Sequence, residues 1–197
     1  MKNLLVAILF ITALPGFGQP NEINFQVSYK GKVIGVVKAV EQTTGSNAHK
    51  ELKTTTHTKV LIVTLHVESE IDALYENGSL VNGVAYRQAN RGSENIHSTI
   101  TKVADKKYQV LRNKKLTTLE GKRIDYCVVD LYFREPKNRL LVFSNMYGEF
   151  VKIKLIAEGK YKVTSPDKKV SIYSYKNGKL ITIDLETPLG KVIITRK

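Results

Sequence analysis

The side chains with the greatest capacity for chemistry are four histidines, His49, His57, His66 and His97, a single cysteine, Cys127, and several closely spaced carboxylates. The richest grouping is His66-Val67-Glu68-Ser69-Glu70. On a β-strand alternate residues share a face at about 6.8 Å spacing, so an imidazole and two carboxylates stand in one row. Two of them, joined by a ligand such as His97 or His57 from a neighbouring strand, suit zinc or calcium. His66, Glu68 and His97 are therefore the metal candidates. The competing explanation is the wet face of a strand, because the tight ligand spacing of zinc signatures is lacking. Cys127 lies in the apolar run Tyr126-Cys127-Val128-Val129 with no histidine nearby in sequence, which fits a buried structural thiol. No Gly-x-Ser-x-Gly elbow and no phosphate-binding glycine loop is present. The pairs Glu68/Glu70 and Asp184/Glu186 each lie on one strand face and offer the two carboxylates that glycoside hydrolysis uses, but surface strands carry such pairs routinely. The sequence thus argues against an enzyme, assigns no catalytic residue and implies no cofactor.

The elements that must position these groups repeat with period two. Leu61, Val63, Leu65, Val67, Ser69, Ile71, Ala73 and Tyr75 alternate with Val60, Ile62, Thr64, His66, Glu68, Glu70, Asp72 and Leu74, which predicts one strand over 60–75 with a dry and a mostly wet face. Similar alternation recurs at 25–29, 150–156, 161–163 and 180–185. Asn77-Gly78, Asn82-Gly83 and Asn177-Gly178 supply the positive φ of two-residue hairpin turns, and Lys30-Gly31-Lys32 and Ser165-Pro166-Asp167-Lys168 read as further turns. Gly35, after Lys32-Val33-Ile34, suits a bend in the sheet. Short loops force antiparallel neighbours, and no amphipathic helix of a dozen residues is evident. The fold class expected is all-β: an antiparallel meander curved into an open or half barrel. One segment departs from the pattern. Residues 124–136 read as a buried strand or as a short helix over about 125–134, with Asp125 near its start, Pro136 at its stop, and Ile124, Val128 and Leu131 on one face. As a helix it would lie across the curved sheet and plug its concave side.

Compartment is argued from the amino terminus. Lys2 precedes an apolar run from Leu4 to Leu14, broken only by Thr12, and Pro15-Gly16-Phe17-Gly18 offers small residues for cleavage after Gly18. The run is about half of the ~20 residues a spanning helix requires. Residues 1–18 are therefore expected to be a secretory signal peptide and 19–197 a single β domain without a transmembrane segment. Since the sole cysteine is Cys127, the lipid-attachment cysteine of a lipoprotein is missing. The expected location is the periplasm or the extracellular space. Charge is unevenly divided: residues 19–100 hold 8 Lys+Arg and 8 Asp+Glu, against 22 and 10 in residues 101–197. A basic carboxy-terminal half suits an anionic envelope ligand or a protein partner, although dispersed lysines also serve to solvate faces and discourage edge pairing. Nucleic acid is a poor partner for an exported chain, and no RNP-type aromatic motif or zinc-finger spacing supports it, so none is expected.

Three blocks carry a resemblance: Tyr29-Lys30-Gly31-Lys32-Val33-Ile34-Gly35; Leu131-Tyr132-Phe133-Arg134-Glu135-Pro136 followed by Val142-Phe143-Ser144; and Tyr161 through Tyr173-Ser174-Tyr175-Lys176-Asn177-Gly178-Lys179-Leu180. In these the chain resembles an uncharacterised secreted family of Bacteroidota, a domain of unknown function. The resemblance implies export and a β fold, and carries no activity, cofactor or site residue. More remotely, the chain is similar to periplasmic curved-sheet proteins, some of them lipid carriers, an analogy of architecture only. The leading functional expectation is an exported module binding a hydrophobic or lipid-like ligand, for which Tyr132, Phe133, Tyr173 and Tyr175 are the candidate contacts. The alternatives are an envelope interaction protein without a small ligand and, last, a metal-dependent or hydrolytic enzyme.

Overall fold

The computed structural model describes residues 19–60, 63–90, 94–187 and 190–197. The expected signal peptide, 1–18, lies outside the described residues. The first half of the chain is a run of hairpins: β1 (Asn21–Tyr29), β2 (Lys32–Thr44), β3 (Asn47–Val60), β4 (Val63–Glu76), β5 (Ser79–Ala89), β6 (Ile96–Ala104), β7 (Lys107–Arg112) and β8 (Lys115–Glu120). The second half repeats the plan with β9 (Leu141–Ser144), β10 (Glu149–Ala157), β11 (Lys160–Thr164), β12 (Val170–Lys176), β13 (Lys179–Thr187) and β14 (Gly190–Arg196). β14 pairs with β1, so both meanders fuse into one antiparallel 14-stranded sheet that is not closed into a barrel and has β8 and β9 as its edges. No helix among the described residues is long and apolar enough to cross a membrane.

Local chemistry explains these hairpins. Lys30-Gly31, Asn77-Gly78 and Asn177-Gly178 all adopt paired positive φ, the condition for a two-residue turn matched to strand twist. The Ser165–Lys168 turn closes through the Lys168 amide donating to the Ser165 carbonyl at 2.9 Å. Asn82-Gly83, by contrast, lies inside β5 rather than at a turn. Gly83 meets a packing need there: a Cβ would sit 2.7 Å from Nδ2 of Asn145. At Gly35 the reason is also close approach, since a Cβ would fall 2.2 Å from the Thr55 carbonyl oxygen, beside the bulge that shifts the β1–β2 register after Val27. The strand expected over 60–75 begins instead at Val63, because Val60 ends β3 and pairs with Val63. Its faces divide as the alternation predicts, with Ile71, Ala73 and Tyr75 buried and Leu74 exposed.

The right-handed twist inherent to β-strands curves a sheet of this width, and its inner face holds one continuous core including Phe25, Val37, Leu52, Ile71, Leu80, Ile100, Tyr108, Val142, Phe143, Ile183 and Ile194. Residues 121–140 connect the β8 edge to the β9 edge across that concave side. They contain the short helix expected near 125–134 as a single 3-10 turn, Val128–Tyr132, and they bury Ile124, Tyr126, Cys127, Val129, Leu131 and Tyr132. Hydrogen bonds tie this plug to strands on both halves: Leu80 N to Ile124 O at 2.8 Å, Phe143 N to Tyr126 O at 2.9 Å, and the Tyr175 hydroxyl to Leu131 O at 2.7 Å. The β9–β10 turn reaches across as well, with Arg112 Nε donating to Met146 O at 2.9 Å.

Candidate functional site

On the inward side of β2 and β3, buried Val37, Ala39 and Leu52 lead to Glu41 and Lys50, which stand directly opposite each other. On β4 the residue opposite Lys50 is Ala73, and Tyr75 stands opposite Ala48. These alanines leave room on the inner face for one long cationic side chain and one phenol. Lys50 is 1% exposed and Asp130, from the 3-10 turn, is 0% exposed. The Lys50 ammonium donates to Oδ1 of Asp130 at 2.5 Å and pairs with Glu41 at 2.7 Å. Arg134 Nη2 donates to the same Oδ1 at 2.5 Å, while Oδ2 accepts from the Tyr75 hydroxyl and the Cys127 amide, each at 2.6 Å. The Lys50 ammonium also lies over the Tyr75 and Phe133 rings, at 5.4 and 5.6 Å from their centroids. One carboxylate thus takes four donors, which is the condition for keeping a charge in a dry interior.

This packing sets the titration of its members. Burial alone would raise the Asp130 carboxyl, but the Lys50 charge and the hydrogen bonds from Lys50, Tyr75 and the Cys127 amide outweigh it and hold the group below its ordinary value. Burial pushes the Tyr75 phenol and the Cys127 thiol well up, and the charge of Asp130 adds to both shifts. Cys127 is therefore a structural thiol. Ellman's reagent is expected to leave it untouched in the folded protein at pH 8 and to titrate one equivalent after denaturation; reaction of the native protein would place the thiol outside the core.

Above this buried cluster the surface opens into a cleft of about 440 Å³, whose lining includes Glu41, Lys50, Tyr75, Arg123, Asp125 and Arg134. Asp125, expected near the helix start, faces outward and is clamped by Arg139 through two bonds of 3.0 and 3.2 Å. Arg123 donates to the Asn77 carbonyl, and Arg134 is more than half exposed. With Asp125 matched by Arg139, and Lys50 buried against Asp130 and Glu41, the charged groups left facing the opening are Arg123 and Arg134. Cationic groups prevail at the mouth, and the exposed guanidinium edges suit a carboxylate or phosphate.

Across the chain, the family model for a domain of unknown function, DUF6134, matches residues 25–197. The chain belongs to the DUF6134 family. No curated protein and no solved structure matches it. The site of this DUF6134 domain must therefore be read from its own geometry.

The residues singled out from sequence fall in two places. His66 and Glu68 are exposed on the convex face, with Nε2 and Oε1 3.0 Å apart, and the His57 ring lies opposite at 5.8 Å between centroids. His97 is on β6, two strands away from β4, about 9.6 Å at the usual strand separation. Tyr132, Phe133, Tyr173 and Tyr175 come together around the plug. Tyr132 and Tyr173 are buried; Tyr132 packs edge-on against Phe25 at 5.3 Å, and Tyr175 against Tyr161 at 5.6 Å. Asp184 pairs with Lys191 at 2.7 Å. Lys50, Glu41 and Asp130 are not singled out by the sequence motifs. Their signal was a charged residue at the dry parity of two adjacent strands and an acid between Val129 and Leu131, which becomes visible once the inner face of β3 is known.

Proposed function

We propose that this DUF6134 domain is an exported binding protein of the cell envelope, and that it holds the anionic headgroup of a small or lipid-like ligand in the cleft above Lys50 and Asp130. The observation carrying this reading is the convergence of Arg123 and Arg134 on one open cleft over a base in which buried Lys50 and Asp130 hold each other. A preorganised cationic mouth attracts anions and costs little reorganisation when it binds them. Export is supported by the basic start, apolar run and small residues of 1–18. The concave face that an apolar ligand would need is filled by the chain's own Ile124, Val129, Leu131 and Tyr132, which favours headgroup capture at the rim over engulfment of an acyl chain.

A second reading has its own observation. On the outward side of the second meander Lys154 stands opposite Lys162, and Lys176 opposite Lys179, like-charge pairs that cost stability in isolation. An acidic protein partner docking there would relieve them.

The test is to purify the exported protein, extract it with organic solvent and identify bound molecules by mass spectrometry, with Arg123→Ala beside the wild type. Among the described residues the Arg123 side chain is exposed and donates to the Asn77 carbonyl, so the variant should fold normally. Enrichment of an acidic molecule in the wild type and its loss in Arg123→Ala is the expected result. An empty wild-type extract, or equal enrichment in both, overturns the headgroup site, and in that case the lysine pairs become the site to mutate.

A further inference from the structure

We propose that His49, Glu51 and Asp72, on the convex face of β3 and β4, form a binding site for a divalent transition-metal ion of the zinc type. His49 and Glu51 are alternate residues of β3 and so share a face, and Asp72 of β4 stands directly opposite Glu51. The candidate ligand atoms of all three lie within 4.8 Å of one another. Nε2 of His49 is 2.6 Å from Oδ2 of Asp72 and 3.8 Å from Oε1 of Glu51. Four ligands at the 2.0–2.1 Å bond lengths of tetrahedral zinc stand about 3.3 Å apart. The observed separations bracket that value, so small side-chain rotations on a fixed backbone complete the geometry.

Three features separate this group from an ordinary surface ion pair. The first is donor type: one imidazole nitrogen with two carboxylate oxygens suits zinc, whereas calcium and magnesium favour all-oxygen shells. The second is which oxygen is free. Lys53 engages Glu51 through Oε2 at 3.4 Å, which leaves Oε1 turned toward His49. The third is the local field. The chain carries a formal charge of +13, yet the outward residues of β3 and β4 between His49 and His57 and between His66 and Leu74 include Glu51, Glu68, Glu70 and Asp72 against the lysine Lys53 alone. A cation meets a negative stripe here. Each ligand side chain is about one-third exposed, at 38%, 32% and 35%, so three protein ligands leave a fourth position facing solvent. That is the open pattern of an exchangeable or catalytic centre rather than a closed structural one.

His66 and Glu68, the pair favoured by the sequence, supply the internal comparison, since they lie on the same stripe with His57 across from them. The experiment is calorimetric titration of the purified protein with Zn²⁺ in a non-coordinating buffer, repeated with Co²⁺ to read the coordination geometry from its visible spectrum. The expected result is one equivalent bound, with at least a tenfold loss of affinity in His49→Ala and in Asp72→Asn and none in His66→Ala. All three sites are on the surface, and unchanged circular dichroism confirms that the variants are folded. Absence of Zn²⁺ binding overturns the proposal. So does binding that survives His49→Ala and disappears in His66→Ala.

Discussion

Asp130→Ala is expected to destabilise the protein by about 3–5 kcal/mol, the range found when one partner of a buried ion pair is removed. The variant strands Lys50 at 1% exposure with Glu41 as its remaining counter-charge, and it leaves the Tyr75 hydroxyl and the Cys127 amide without their acceptor. Asp130→Asn keeps the shape and loses the charge, so its deficit isolates the electrostatic part. Lys50→Met together with Asp130→Asn removes both charges, and is expected to recover part of the loss because paired charges in a dry interior are often matched by apolar substitutes. Urea midpoints with their slopes measure all three. A cost below 1 kcal/mol for Asp130→Ala would show that water reaches the cluster and that the cleft has no rigid base.

The same carboxylate predicts the direction of the acid response. Its folded value lies below the ordinary 3.8, so the unfolded chain takes up the proton first. Its contribution to stability is therefore complete above the ordinary carboxylate range and is lost as pH falls through the depressed folded value. The gap between wild type and Asp130→Asn should be constant from neutrality to about pH 5 and should close below about pH 4. A gap that closed already near pH 6 would assign the effect to a different group.

Much of this fold is legible in the chain because hairpin sheets are written locally. A strand declares itself by period two and a turn by Asn-Gly or Lys-Gly, and sequential pairing then fixes neighbours, as from β1 through β8. What is illegible depends on distance. Asn82-Gly83 has turn chemistry, yet its glycine answers to Asn145, more than sixty residues on. The pairing of β1 with β14 leaves no mark in either strand. Lys50 reads as one more surface lysine in His49-Lys50-Glu51, because its burial follows from Asp130 arriving from the plug 80 residues later. The metal candidates show the same limit. His-x-Glu occurs at His49 and at His66, and the cross-strand partner decides between them: Glu51 faces Asp72, whereas Glu68 faces Thr55.

Leu131→Ala addresses what the concave face is for. Leu131 is 0% exposed in the 3-10 turn, and truncating a fully buried leucine costs about 2–5 kcal/mol, with the spread set by how far the surroundings collapse. Here collapse is restricted. The Leu131 carbonyl accepts from the Tyr175 hydroxyl at 2.7 Å, Asp130 on one side is held by four donors, and Tyr132 on the other packs edge-on against Phe25. The backbone of the plug cannot settle into the space, so the upper part of the range is expected. The variant should also gain affinity for xenon or benzene, detectable by NMR shifts at neighbouring methyl groups, since a cavity with apolar walls stays dry and admits apolar guests. A loss near zero would mean that the plug is loosely seated and can give way to an acyl chain. The concave face would then be a lipid chamber that the segment covers, and the cationic cleft beside it would be that chamber's entrance. A full loss with new xenon binding would mean that the plug is a permanent part of the core, which limits ligands to the rim and puts the specificity of the domain in Arg123, Arg134 and the Lys50–Asp130 base.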